Sequence, residues 1–222
     1  MASPTPHDAL FKYAFQGSEE AASLFRALLP SGLAAEIRAE SLTLEPGSFV
    51  DEALSARSSD ILYSCRVGRA PVLIYLLLEH QSTSDPLMAY RVDRYAGRVM
   101  DAWLRAHPKA RRLPLLLPFV LYSGGAAWKA PTDLRGLLDL PEGHAAELAP
   151  LLPSRPFILY DLSTEAEAAL GSRALTAFAE VTLCALKRLP RSPDPVRDIA
   201  RWLGLLRGVL SSPRGLPRLS AL

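Results

Sequence analysis

VLIYLLLEHQ, residues 72–81, decides the fold, read together with SDILYSCRV, residues 59–67, just ahead of it. Val72–Leu78 is seven apolar residues with no glycine or proline inside. A membrane-spanning helix needs about 20 such residues, so the run reads as a strand buried on both faces. It ends in Glu79-His80-Gln81. With a side-chain period of two, Glu79 and Gln81 point to one face and His80 to the other. An acid at the end of a buried strand needs a partner, and Asp60 is the candidate. Gly68-Arg69-Ala70-Pro71 forms a turn-like cluster between the two runs. A hairpin centred between Arg69 and Ala70 sets Asp60 and Glu79 directly opposite each other, with Cβ atoms roughly 4.5–5.5 Å apart. Two carboxylates at that distance repel unless a cation lies between them. The expectation is a divalent metal held by Asp60 and Glu79, with Gln81 beside it. Oxygen-only ligands suit Mg²⁺ or Mn²⁺. A surface hairpin with one acid on each strand is the other reading of the same pattern.

The rest of the chain narrows the classes. Its 222 residues suffice for one well-filled domain, and 49% hydrophobic with 22% charged residues is ordinary globular composition. No run approaches the length of a spanning helix. The opening MASPTPHDALFKYAF lacks the basic, apolar and small-residue segments of a signal peptide. The expectation is a cytoplasmic protein without a membrane partner. Cys65 and Cys184 have no metal-site spacing and read as buried structural thiols. His7, His80, His107 and His144 are scattered, which excludes a zinc motif. The net charge of +2 selects no partner by itself, and nothing in the sequence indicates a homo-oligomer.

Outward from the acidic hairpin, the periodicity predicts helices over His7–Phe15 and Ser18–Leu29. A short strand is expected at Ser41–Leu44, and Ser48–Leu54 reads as a second short strand or a loop. A long helix starts at Ser84-Asp85-Pro86 and runs to about Ala106. On it Met88, Val92, Tyr95, Val99 and Trp103 share a buried arc. Arg91, Arg94, Arg98 and Arg105 fall in a second arc beside it, either a phosphate-contacting ridge or a solvated face. Leu113–Tyr122 is extended, with Pro114 and Pro118 delaying its pairing to about Phe119. Ala130–Leu152 reads as irregular with short helices, Phe157–Tyr160 as an edge strand, and Glu165–Leu189 and Pro195–Leu210 as helices. The order predicts an α/β fold with a mixed sheet of four or five strands and a helical C-terminal part.

Six pieces in order carry a resemblance: HDALFKYAF, SFVDEAL, RSSDILYSC, YLLLEHQS, LMAYRVDRYAGRVM, and LPFVLYSGG followed by Trp128, with FILYDLS later. The chain resembles the Rpn family of recombination-promoting nucleases, also described as putative transposases, in the PD-(D/E)XK nuclease superfamily. The resemblance implies a restriction-endonuclease-like αβββαβ core over residues 1–130. A mostly helical extension over 131–212 packs on it, and 213–222 is expected to be a disordered tail. It implies a Mg²⁺-dependent DNA endonuclease, with Mn²⁺ as a substitute metal. Asp60 matches the superfamily's acidic position, and Glu79-His80-Gln81 matches its E-x-K, with glutamine in place of lysine. Asp60, Glu79 and Gln81 are the expected catalytic residues, with Asp60, Glu79 and the backbone carbonyl of His80 as metal ligands. Glutamine carries no charge, so Lys12 and Arg57 are the candidates to supply it; Lys12 reads more readily as a helix-surface residue, and Arg57 equally as an ion-pair partner of Asp51 or Glu52. With Arg91, Arg94 and Arg98 they make up the expected DNA contacts. The alternative is a nuclease fold that has lost catalysis and binds DNA or a protein. A transposase proper would need a third acid and a DNA-reading module, and no helix-turn-helix or zinc-finger spacing is present. No G-x-S-x-G motif supports a serine hydrolase.

Overall fold

The computed structural model describes residues 5–46, 60–79, 84–212 and 215–219. Its centre is a sheet in the order β1-β2-β3-β4-β5, formed by Thr43–Leu44, Ile61–Val67, Ala70–Glu79, Leu115–Tyr122 and Ile158–Asp161. β1, β2 and β3 pair antiparallel, whereas β3, β4 and β5 run parallel. The helices are α1 (Pro6–Phe15), α2 (Ser18–Leu28), α3 (Ser31–Ala34), α4 (Met88–Ala106) and α5 (Ala145–Leu148). They continue as α6 (Glu167–Gly171), α7 (Ala177–Arg188), α8 (Pro195–Arg201), α9 (Leu203–Leu210) and α10 (Gly215–Leu219). α4 is the crossover that a parallel β3–β4 pair requires.

β3 is buried from Val72 to Glu79 because helices cover both faces of the sheet. Its alternating side chains feed two cores. Val72, Ile74, Leu76 and Leu78 face α1, α2 and α7, among Phe11, Phe15, Phe25, Phe178 and Leu183. Leu73, Tyr75 and Leu77 face α4, against Met88, Val92 and Val99. The apolar arc expected on α4 is that contact, with Tyr95 and Trp103 at its margin. α1 starts where Thr5 and Asp8 form a capping box ahead of Pro6, and it is tied to the sheet where the Tyr63 hydroxyl donates to the Phe15 carbonyl at 2.9 Å. Cys65 and Cys184 are buried free thiols.

Several boundaries differ from the sequence reading. Val67 pairs with Ala70, so the hairpin centres between Gly68 and Arg69, one residue earlier than expected. Gly68 has φ +56°, the conformation that the first central residue of a two-residue hairpin turn favours and that glycine adopts at no cost. β4 pairs with β3 from Leu115 rather than from Phe119. β5 joins only at Phe119, so Pro118 has a neighbour on one side and its missing N–H breaks no second ladder. The helix expected over 165–189 is two, α6 and α7. Ala174 adopts left-handed backbone between them, and Thr176 caps the second, its hydroxyl accepting from the Ala179 N–H. The helix expected over 195–210 divides at the buried Trp202. β5 and α7 belong to the region read as an extension, yet they supply the fifth strand and part of the core. The tail expected to be disordered from 213 contains α10. Arg218 fixes it, approaching Glu20 at 2.7 Å and Glu19 at 3.1 Å, and the Tyr13 hydroxyl donates to the Pro217 carbonyl. The strand or loop expected at Ser48–Leu54 lies outside the described residues.

Candidate active site

The carboxyl ends of β3, β4 and β5 and the residue preceding β2 share one edge of the sheet. In an open α/β sheet this is the edge where ligands bind. Glu79 pairs with Tyr122, and Tyr122 with Asp161, so these three side chains stand in a row on the α4 face. Backbone bonds hold the strand ends together: the Ser123 N–H donates to the Glu79 carbonyl, and the Leu162 N–H to the Tyr122 carbonyl, each at 2.9 Å. Tyr122 packs edge-on against Trp128, with ring centroids 5.0 Å apart. Gly124 leaves room for that ring, since a Cβ there would stand 1.9 Å from the Tyr122 hydroxyl. Asp161 accepts from the backbone N–H groups of Trp128 at 2.8 Å and Ser163 at 2.9 Å, so it pins the loop after β4 to the strand.

Asp60 and Glu79 lie on the same face. Ile61 pairs with Leu76, and one further residue of that register sets Asp60 across from Leu77, diagonal to both Tyr75 and Glu79. The directly opposed pair expected from the sequence is therefore a diagonal one. A two-residue offset lengthens the separation to about 7–8 Å but keeps the face, because the side-chain period is two. The Tyr75 hydroxyl donates to Asp60 Oδ2 at 2.5 Å. Burial first, then the charge and hydrogen bond of Asp60, push the Tyr75 hydroxyl well above its usual range. It therefore remains a proton donor to that carboxylate.

Glu79 is 4% exposed, and its Oε2 accepts from Arg91 Nη1 at 3.0 Å. The same nitrogen donates to Asp85 Oδ2 at 2.6 Å. The other oxygen of Asp85 accepts from the Leu87 N–H at 2.9 Å and shapes the entry to α4. Burial works against the Arg91 charge, but the Asp85 hydrogen bond and the charge of Glu79 outweigh it and raise the guanidinium's pKa. The sequence reads Arg91 as part of a phosphate-contacting ridge or of a solvated helix face. Arg91 instead turns inward from the margin of the buried arc, while Arg94 lies outside over the Tyr90 ring and Arg98 is half-buried. Lys12 is half-buried on α1, a helix whose apolar side chains pack on the opposite face of the sheet. His80, Gln81 and Arg57 lie outside the described residues.

The sequence does not mark Asp85 or Tyr75 as neighbours of Asp60 and Glu79: Asp85 belongs to a helix-start signal and Tyr75 to an apolar run. The donor set suits a hard divalent cation: two carboxylates on one face at one edge. Mg²⁺ keeps several waters and uses only one or two carboxylates. Among the described residues, no three His, Cys, Asp or Glu side chains are grouped to hold a metal. No described helix is long and apolar enough to cross a membrane.

The mixed five-stranded sheet with helices on both faces defines an α/β protein with a restriction-endonuclease-like core and a helical extension. The chain belongs to the Rpn family: the family model described as "Putative transposase, YhgA-like" matches residues 5–216. It is 42% identical over 120 residues to recombination-promoting nuclease RpnD of Escherichia coli O157:H7, which covers 54% of this chain and 46% of that protein. It is 36% identical over 162 residues to recombination-promoting nuclease RpnC of Escherichia coli K12, covering 72% of this chain and 52% of that one. The inactive recombination-promoting nuclease-like protein RpnE of the same strain is 33% identical over 160 residues, 72% of this chain and 51% of its own. The chain thus spans about half the length of these curated relatives. No solved structure matches it.

Proposed function

We propose that this chain is a Mg²⁺-dependent DNA endonuclease that hydrolyses phosphodiester bonds, with Mn²⁺ able to replace Mg²⁺. The observation that carries the reading is the placement of Asp60 and Glu79 on one face at the edge where the strands end. These two carboxylates hold the metal, joined by the backbone carbonyl of His80. Bound there, the metal supplies Lewis-acid polarisation of the phosphate and a lowered pKa for water. Tyr75 fixes the Asp60 carboxylate by its hydrogen bond, and Gln81 orients water without adding charge. DNA lies along α4, where Arg94 and Arg98 meet its phosphates. Replacing both by alanine should weaken DNA binding and reduce the salt slope by about 2 for two lost phosphate contacts, read from affinities at several salt concentrations. An unchanged slope would remove the ridge from the DNA path.

The deciding experiment incubates purified protein with supercoiled plasmid and Mg²⁺, Mn²⁺, Ca²⁺ or EDTA, beside Asp60→Ala and Glu79→Ala. Cleavage with Mg²⁺ that both variants lose supports the proposal, and equal cleavage by parent and variants rejects it. Gln81→Lys should keep or raise the rate. The second reading is a nuclease fold that binds DNA or a protein without cutting. It is favoured by the relative named inactive and by the neutral residue at position 81. It predicts metal-independent DNA binding without cleavage.

A further inference from the structure

A single nitrogen, Arg91 Nη1, stands between two carboxylates, 3.0 Å from Glu79 and 2.6 Å from Asp85. The side chains are 15%, 5% and 20% exposed respectively, so water screens the charges weakly. The guanidinium offers five donors in a planar fork. Its Nε is buried and has no hydrogen-bond partner among the described residues. Arg91 is therefore held by charge at one end of its fork and is not locked at the other. Arginine enters from the first turn of α4, an element distinct from the strand that carries Glu79. A positive group can thus leave Glu79 without breaking the strand.

We infer that Arg91 is the resident counter-ion of this site, competing with a divalent cation for Glu79 and supplying, once displaced, the positive charge that Gln81 lacks. The inference rests on Glu79 as a metal ligand. A guanidinium and a cation cannot both take the same carboxylate oxygen, so their affinities are coupled with opposite sign. Asp85 acts through Arg91. It shares the guanidinium with Glu79 and so weakens the hold on the oxygen the cation needs. Arg91 is a positioning residue in this scheme, because its contact is with Glu79 and Asp85.

The test is calorimetric titration of the full chain with Mn²⁺. Arg91→Gln should tighten Mn²⁺ binding by about tenfold, within the range of coupling for neighbouring charges. Asp85→Asn should weaken it in the parent and have little effect in the Arg91→Gln background. In EDTA, Arg91→Gln should melt below the parent, and Mn²⁺ should raise its Tm by more than it raises the parent's. Arg91→Lys keeps the charge without the fork and should bind Mn²⁺ with intermediate affinity, which covers the case in which the glutamine variant does not fold. Unchanged Mn²⁺ affinity in Arg91→Gln, with affinity lost in Glu79→Gln, overturns the inference and leaves the metal site standing. Affinity unchanged in Glu79→Gln as well overturns both. In plasmid cleavage, Arg91→Gln should be slow, and adding Gln81→Lys to it should restore the rate. Absence of that rescue overturns the assignment of the site's charge to Arg91.

Discussion

At the scale of single residues, the site is built from side chains whose neighbours leave them few alternatives. Tyr75 is buried under α4 and has its hydroxyl against Asp60 Oδ2. A buried hydroxyl needs a partner, and a carboxylate at a sheet edge gains from a fixed donor. Tyr75→Phe should cost about 1.5–3 kcal/mol, the net worth of a hydrogen bond to a charged group, measured by urea unfolding. A loss near zero would mean that Asp60 is satisfied equally well without this contact. Tyr75 was legible in the sequence only as one apolar residue among seven. Its hydroxyl acquires a role because the hairpin turns at Gly68-Arg69, which sets Asp60 diagonal to it. The acids were legible because charge at the end of a buried run stands out. Their register was not, because Gly68, Arg69, Ala70 and Pro71 admit turns at more than one position.

At the scale of elements, α10 shows how a short segment is held. Five residues cannot form a stable helix alone. Arg218 anchors this one, reaching Glu19 and the buried Glu20 on α2 and lying over the Phe178 ring on α7. Burial raises the Glu20 carboxyl above its ordinary value of 4.5, against the pull of Arg218. An acid with a raised folded pKa binds more protons folded than unfolded, so its contribution to stability falls as pH rises past 4.5. Arg218→Ala should leave Glu20 buried without that cation and cost about 3–5 kcal/mol at pH 7.5. The loss should shrink at pH 5, where Glu20 can take up a proton. Urea unfolding at the two pH values checks this, and equal losses would show that Arg218 acts through packing alone. The anchoring was invisible in SSPRGLPRLSAL, where prolines, glycine and small residues resemble a tail. The partner of Arg218 is about 200 positions away.

At the scale of the whole molecule, the sheet cannot be cut where the motifs thin out. β5 covers the open edge of β4, and α7 brings Phe178, Leu183 and Leu186 into the core shared with α1 and α2. The fragment 1–130 should therefore fail to give a cooperative thermal transition, followed by circular dichroism, whereas the full chain gives one. A cooperative fragment would establish the first 130 residues as a domain in their own right. The sequence alone determined the strands, the long amphipathic helix, and the two acids at one end of the sheet. These follow from local periodicity and from the cost of burying charge. Only the tertiary structure decided that the hairpin pairs the acids diagonally, that β4 accepts Pro118, and that Arg91 turns inward to Glu79 and Asp85. Each depends on which neighbour is present in space: one fewer strand beside a proline, a hydroxyl beside a carboxylate, an acid within reach of a guanidinium. Periodicity tells which face a residue takes, and the packing of distant segments tells what meets it there.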